Sequence, residues 1–200
     1  RISTGFLGTP YVLPALTSTG HLDEAYLMLL RRDAPSWLYE VDRGATTIWE
    51  RWDAILPDGS INPGDMEQGG SMISFNHYAY GAVIDWVYRT VAGIAPDLEQ
   101  PGYRRVHIAP RPAVGIEHAS ASIDTALGRV AIDWALDGGA LAATLEIPFG
   151  ADAVLELPVS AESTITIDGH ASENGAVLSA GTHRIHVTAP VMADPAAASS

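Results

Sequence analysis

Hydrophobic and polar positions recur along this chain with two different periods, and the change falls near Gly93. Before it, apolar residues keep helical spacing. Thr9-Pro10 offers a hydroxyl N-cap followed by proline at the first helical position, Gly20 offers a stop, and Pro14 lies close enough to the start to kink the helix rather than abolish it. Leu22, Ala25, Tyr26, Leu29 and Leu30 follow at helical spacing, with Asp23 and Glu24 early and Arg31 and Arg32 late, as the helix dipole prefers. Residues 10–32 are therefore expected to form two antiparallel helices. Pro35 opens a short helical turn through Tyr39 that ends near Gly44. Residues 57–71 hold four glycines and two prolines, which no regular element tolerates, so a long loop is expected there. A last helix is expected from about Phe75 to Val91, apolar round most of its circumference and hence buried, with His77 in its first turn and Asp85 and Arg89 as an i,i+4 pair.

Beyond Gly93-Ile94-Ala95-Pro96 the helical period vanishes. Short β-type runs take over at 106–108, 117–123, 129–135, 140–147, 153–157, 163–167 and 183–188, separated by turn signals such as Asp137-Gly138-Gly139, Phe149-Gly150, Asp168-Gly169 and Glu173-Asn174-Gly175. Alternation of the kind seen in Ala131-Ile132-Asp133-Trp134-Ala135 predicts an antiparallel β-sandwich over residues 95–190. The Ala, Pro and Ser-rich stretch 191–200 is expected to be a disordered tail.

Composition narrows the partners. The chain has 200 residues, 47% of them hydrophobic and 18% charged, enough to bury a real core. Its net charge of -13 argues against nucleic acid and anionic membranes, which reward Lys and Arg. No cysteine is present, which removes disulfides, thiolate nucleophiles and Cys-ligated metals. The apolar runs fall short of the roughly 18 residues that a membrane helix needs, and Arg1 opens no signal peptide, so a soluble protein, cytoplasmic or secreted, is expected. A start without Met suggests a fragment.

The densest chemistry lies in Gly44-Ala45-Thr46-Thr47-Ile48-Trp49-Glu50-Arg51-Trp52-Asp53. Indole faces cover the C–H faces of a pyranose while a carboxylate handles hydroxyls or protons, so Trp49 and Trp52 around Glu50 suit a sugar pocket. A buried Trp pair with a Glu50–Arg51 surface charge pair fits the spacing equally well. If the run is extended, Ile48, Glu50 and Trp52 face one side and Trp49 and Arg51 the other. His77 reads either as a hydrogen-bond partner for a sugar hydroxyl or as a satisfied core histidine. Asp65 and Glu67 complete no calcium loop, and His183 and His186, three apart on a strand, face opposite ways, so neither a metal nor a cofactor is expected. There is no phosphate-binding glycine loop and no nucleophile elbow.

Four ordered stretches carry a resemblance: Thr4-Gly5-Phe6-Leu7-Gly8-Thr9-Pro10-Tyr11, Pro35-Ser36-Trp37-Leu38-Tyr39, Ala45 to Trp52, and Ser74-Phe75-Asn76-His77-Tyr78-Ala79-Tyr80-Gly81. In this order they resemble the C-terminal part of bacterial α-L-rhamnosidases of glycoside hydrolase family 78, over roughly residues 3–112. The resemblance implies the C-terminal part of an (α/α)6 catalytic barrel over residues 1–94, followed by a C-terminal β-sandwich. It implies hydrolysis of terminal α-L-rhamnosides with inversion, with Glu50 as general base, His77 on the sugar, and Trp49 and Trp52 helping to wall the pocket. It further implies a general acid and the rest of the barrel upstream of this chain, so the chain alone is expected to be inactive. Two alternatives remain: another glycosidase on the same barrel, and a non-catalytic carbohydrate-binding or structural module.

Overall fold

The computed structural model describes residues 2, 4–64 and 73–199. Asp65, Glu67, Gly69 and Gly70 lie outside the described residues. The chain divides into two compact units, residues 1–84 with 194–200, and residues 85–193.

In the first unit, α1 (Thr9–Ser18) packs on α2 (Leu22–Leu29), burying Leu13, Ala25 and Tyr26. Thr9 is not the N-cap expected of it. Gly8 holds that position, and the Thr9 hydroxyl donates back to Gly5 O at 3.0 Å. Pro14 is accommodated inside α1. Next comes α3 (Trp37–Asp42), capped by Ser36, whose hydroxyl oxygen accepts from Tyr39 N–H at 3.1 Å. It ends in a Schellman arrangement: Ala45 N–H donates to Glu40 O and Gly44 N–H to Val41 O, with Gly44 at φ +79. Part of the expected 57–71 loop forms a small turn closed by an Ile55–Ile61 bridge.

The helix expected from Phe75 begins later. A 3-10 turn (Ala79–Ala82), α4 (Val83–Trp86) and a π-helical turn (Val87–Ala92) make one helical run over 79–92. Residues 74–77 lie outside it: the Ser74 hydroxyl bonds locally with Asn76, and the segment is held beside residues 47–50, His77 N–H donating to Ile48 O at 2.8 Å. Ile84 is 55% exposed, so the run is not buried on all sides.

The second unit is built on strands β1 (Ile94–Pro96), β2 (Arg105–Ile108), β3 (His118–Thr125), β4 (Gly128–Asp137), β5 (Ala140–Leu155), β6 (Ile165–Ile167), β7 (His170–Ser172) and β8 (Val177–Thr188). They form one hydrogen-bonded sheet in the order β1-β2-β5-β8-β6-β7, with β4 also on β5 and β3 on β4. Antiparallel pairing was expected throughout, yet β2 runs parallel to β5. The two runs expected at 140–147 and 153–157 are one strand. Phe149-Gly150 is a bulge inside it rather than a turn, because β8 pairs with both halves: from Ile147↔Gly181 to Asp152↔Ser179 the chain advances five residues on β5 and two on β8. Before the bulge β5 holds β4, and after it β2. The inward positions Ile132, Trp134, Leu141, Leu145 and Val187 are buried, each contributing about 1.5–3 kcal/mol.

Residues 87–92 join this sheet's core, since the Trp134 indole N–H donates to Val91 O at 3.0 Å and Arg111 N–H to Thr90 O at 2.9 Å. Within the stretch 191–199, Val114 N–H donates to Ala193 O at 2.8 Å, Ala193 is buried, and Asp194 N–H donates to Asp23 Oδ1 at 2.8 Å.

Gly93 ends the helical run at φ +90, and a Cβ there would lie 2.3 Å from Pro110 N. Gly102 has a similar φ of +79 with nothing within 4 Å of its Cβ position. Gly93→Ala is therefore expected to cost about 3 kcal/mol or more, against about 1 kcal/mol for Gly102→Ala, measured by denaturant unfolding; equal costs would show that backbone strain alone, without the clash, sets the effect.

Candidate functional site

The Trp-Glu-Arg-Trp stretch is not a strand. It forms bends, and both Trp49 and Glu50 are buried, at 2% and 8% exposure, which the alternation expected of an extended run forbids. Nor is there a Glu50–Arg51 pair. Arg51 Nε instead donates to Asp53 Oδ1 at 3.1 Å, and Asn62 Nδ2 donates to Asp53 Oδ2 at 2.8 Å.

Glu50 is fixed by the second motif. Its backbone N–H donates to Ser74 O at 2.9 Å, while its Oε2 accepts from Ser74 N–H at 2.9 Å. Two further bonds continue the pairing: the Thr47 hydroxyl donates to Phe75 O, and His77 N–H to Ile48 O at 2.8 Å. Segments 47–50 and 74–77 thus run side by side, which brings Glu50 and His77 into one locality. The His77 ring stacks between Phe6, at 4.7 Å, and Tyr78, at 5.2 Å. Its Nδ1 accepts from Ala79 N–H at 3.3 Å, so the neutral ring carries its proton on Nε2.

Aromatic rings surround this pairing. Trp52 lies face to face with Tyr80 at 3.8 Å and meets Trp37 edge-on at 5.3 Å, while Trp49 packs edge-on against Phe75 at 5.6 Å. The Trp37 indole N–H donates to Tyr80 O at 2.9 Å. Trp52 Nε1 is buried with no hydrogen-bond partner among the described residues. Tyr80 is pushed above its usual range by burial, and next by the nearby Glu40 and Asp53 carboxyls.

Glu40 went unnoticed in the sequence. It sits on α3 at 2% exposure; Oε2 accepts from Trp49 N–H at 3.2 Å, and Oε1 is buried without a partner among the described residues. Burial pushes its carboxyl up to about 7, opposed by the bond from Trp49. The available signal was a spacing: Glu40 follows Trp37 by three on a helix, so an acid shares the face of a buried indole. Phe6 and Tyr80 lay inside recognisable motifs, but nothing in their spacing marked them as neighbours of His77 and Trp52.

In the sheet unit, a concavity of about 360 Å³ is lined by residues including Asp133, Thr144, Arg184 and His186, with no Trp, Tyr or Phe. Although it is well formed, it offers no ring on which a sugar could stack, and Glu50 belongs to the other unit. His107 and His183 are held by carboxylates, His107 between Glu156 at 2.7 Å and Asp97 at 3.1 Å, His183 beside Asp168 at 2.8 Å. Among the described residues no cluster of His, Cys, Asp and Glu is placed to hold a metal, and no helix is long and apolar enough to cross a membrane.

An acid thus lies among stacked aromatics in a helical unit that a β-rich one follows in sequence, and comparison with known proteins gives the family. Residues 1–91 match the bacterial α-L-rhamnosidase six-hairpin glycosidase domain, and residues 93–172 match the bacterial α-L-rhamnosidase C-terminal domain. The chain belongs to the bacterial α-L-rhamnosidase family. An α-L-rhamnosidase of Streptomyces avermitilis is 46% identical over 158 residues, which is 79% of this chain and 15% of that protein. The crystal structure of a Streptomyces avermitilis α-L-rhamnosidase complexed with L-rhamnose matches 94% of this chain and 18% of its own at TM-score 0.80 and 42% identity. That of native α-L-rhamnosidase from Aspergillus terreus matches 96% and 20%, at TM-score 0.80 and 35% identity. The chain thus spans under a fifth of the Streptomyces relatives it resembles.

The raised Glu40 carboxyl has a consequence for stability. Between pH 4.5 and about 7 the folded chain keeps a proton on Glu40 that the unfolded chain releases, so stability falls as pH rises through that window. Thermal unfolding of wild type is expected to lose more between pH 5 and pH 7 than that of Glu40→Gln. Parallel pH profiles would show that Glu40 titrates as an ordinary carboxyl.

Proposed function

We propose that this chain is the C-terminal part of an inverting α-L-rhamnosidase, comprising the last helices of its (α/α)6 barrel and the following β-domain, with Glu50 as general base. The observation that carries the reading is the pair of hydrogen bonds between Glu50 and Ser74, which aligns the acid with the His77 segment among aromatic rings. One oxygen, Oε2, is held by Ser74 N–H, and Oε1 is the atom that takes the proton of the attacking water.

In this mechanism the water attacks the anomeric carbon from the face opposite the leaving group, Glu50 removes its proton, and a second carboxyl group protonates the glycosidic oxygen. Inversion requires the two carboxyls to stand about 6.5–9.5 Å apart to admit the water. The second one belongs to the portion of the barrel that this chain does not carry, so the chain on its own is inactive. His77, with its proton on Nε2, donates to a sugar hydroxyl, and Trp49 and Trp52 help to wall the pocket. A terminal α-L-rhamnoside is the substrate, in keeping with the L-rhamnose bound to the Streptomyces avermitilis relative.

In the enzyme carrying this chain, Glu50→Gln is expected to lower turnover of an aryl α-L-rhamnoside by about 10²-fold or more, since general bases contribute on that scale. Retention of more than about a tenth of the rate would refute the role. His77→Ala should raise KM more than it lowers kcat; unchanged values of both would remove His77 from the site.

A further inference from the structure

Glu40 has no part in the chemistry proposed above, yet its carboxyl is buried with a single hydrogen-bond donor on it among the described residues, Trp49 N–H. Burying a carboxyl with so few partners costs free energy, so volume alone gives no reason for an acid here. Its connections do give one. The carbonyl of Glu40 accepts from Arg43 N–H and Ala45 N–H, both at 3.1 Å, and closes the end of α3 around Gly44. Its side chain then accepts from Trp49 N–H at 3.2 Å. One residue therefore holds both ends of the turn from 43 to 49, through its backbone at the start and its side chain at the finish. Trp49 immediately precedes Glu50, which Ser74 grips from the other side.

We propose that Glu40 is a positioning residue: its carboxyl anchors the Trp49 amide and so fixes the backbone from which the Glu50 carboxylate meets the attacking water. The inference rests on the reading of Glu50 as general base. Ser74 alone leaves the Trp49-Glu50 backbone free to pivot about one segment, whereas attachment to α3 as well fixes it in two directions. A displacement of about 1 Å at a reacting group costs on the order of 10²-fold in rate, so an anchor one residue away is worth its burial. Among the nearby ionisable groups, the Tyr80 phenol senses the Glu40 charge, and Arg51 and Asp53 are paired with each other.

The test uses the enzyme carrying this chain. Glu40→Met, which removes the acceptor, keeps the volume and leaves the buried Trp49 N–H unpaired, is expected to lower kcat by about 10- to 10²-fold with KM within about twofold, while the melting temperature falls only by what one lost hydrogen bond costs. Glu40→Gln, which keeps an oxygen facing Trp49, is expected to retain kcat within about threefold and to leave the Trp49 amide as protected from hydrogen exchange as in wild type. A kcat near wild type in Glu40→Met, or a rise of KM as large as the fall of kcat, overturns the proposal. If Glu40→Met does not fold, the Glu40→Gln measurements decide: loss of kcat or of Trp49 protection overturns the role, and retention of both supports it. Glu50→Gln in the same assay keeps the two ideas apart. An active Glu50→Gln removes the base itself, whereas an inactive one beside a fully active Glu40→Met removes only the anchor.

Discussion

Everything at the candidate site depends on the backbone pairing of residues 47–50 with residues 74–77. Ser74 lies 24 residues beyond Glu50 in sequence, and closing that loop costs conformational entropy that local bonds do not return. Four hydrogen bonds and the surrounding rings offset it. The pairing also explains why the helical run begins at Ala79 and not at Phe75. A segment held alongside residues 47–50 is not free to coil into a helix's first turn, so the chain gives up helical residues to gain a fixed geometry at Glu50 and His77.

The rings around this pairing serve packing and chemistry together. Trp52 on Tyr80, Trp37 edge-on to Trp52 and His77 between Phe6 and Tyr78 gather residues from four separate stretches of the first unit. These are the four stretches that carry the family resemblance. Their order in sequence is the order in which the fold delivers side chains to one place. The buried acid of Glu40 belongs to the same construction, because a low-dielectric surround strengthens its bond to Trp49 while raising the cost of its charge.

In the second unit a single strand has the organising part. β5 carries β4 on its first half and β2 on its second, with β8 along both, and the bulge at Phe149-Gly150 makes the exchange of partners possible. Trp134 then draws residues 87–92 into the same core through its bond to Val91 O, so these helical residues pack with the sheet although the composition changes only at Gly93.

How much of this was legible follows from the range of the forces involved. Periodicity and caps are local, and they located α1, α2, α3 and the longer strands, together with the Asp85–Arg89 pair, which closes at 2.8 Å. Motif order alone pointed to Glu50, His77, Trp49 and Trp52 and to the family. What the sequence could not determine were the contacts between distant segments. Arg51 chooses Asp53 over Glu50, Glu40 turns inward to Trp49, Phe149-Gly150 bulges instead of turning, and the last residues are held by their amides. Each of these is decided by which partners lie within reach once the fold closes. That is a property of the assembled chain, because a buried N–H or C=O takes whichever partner the tertiary structure brings within 3 Å or so.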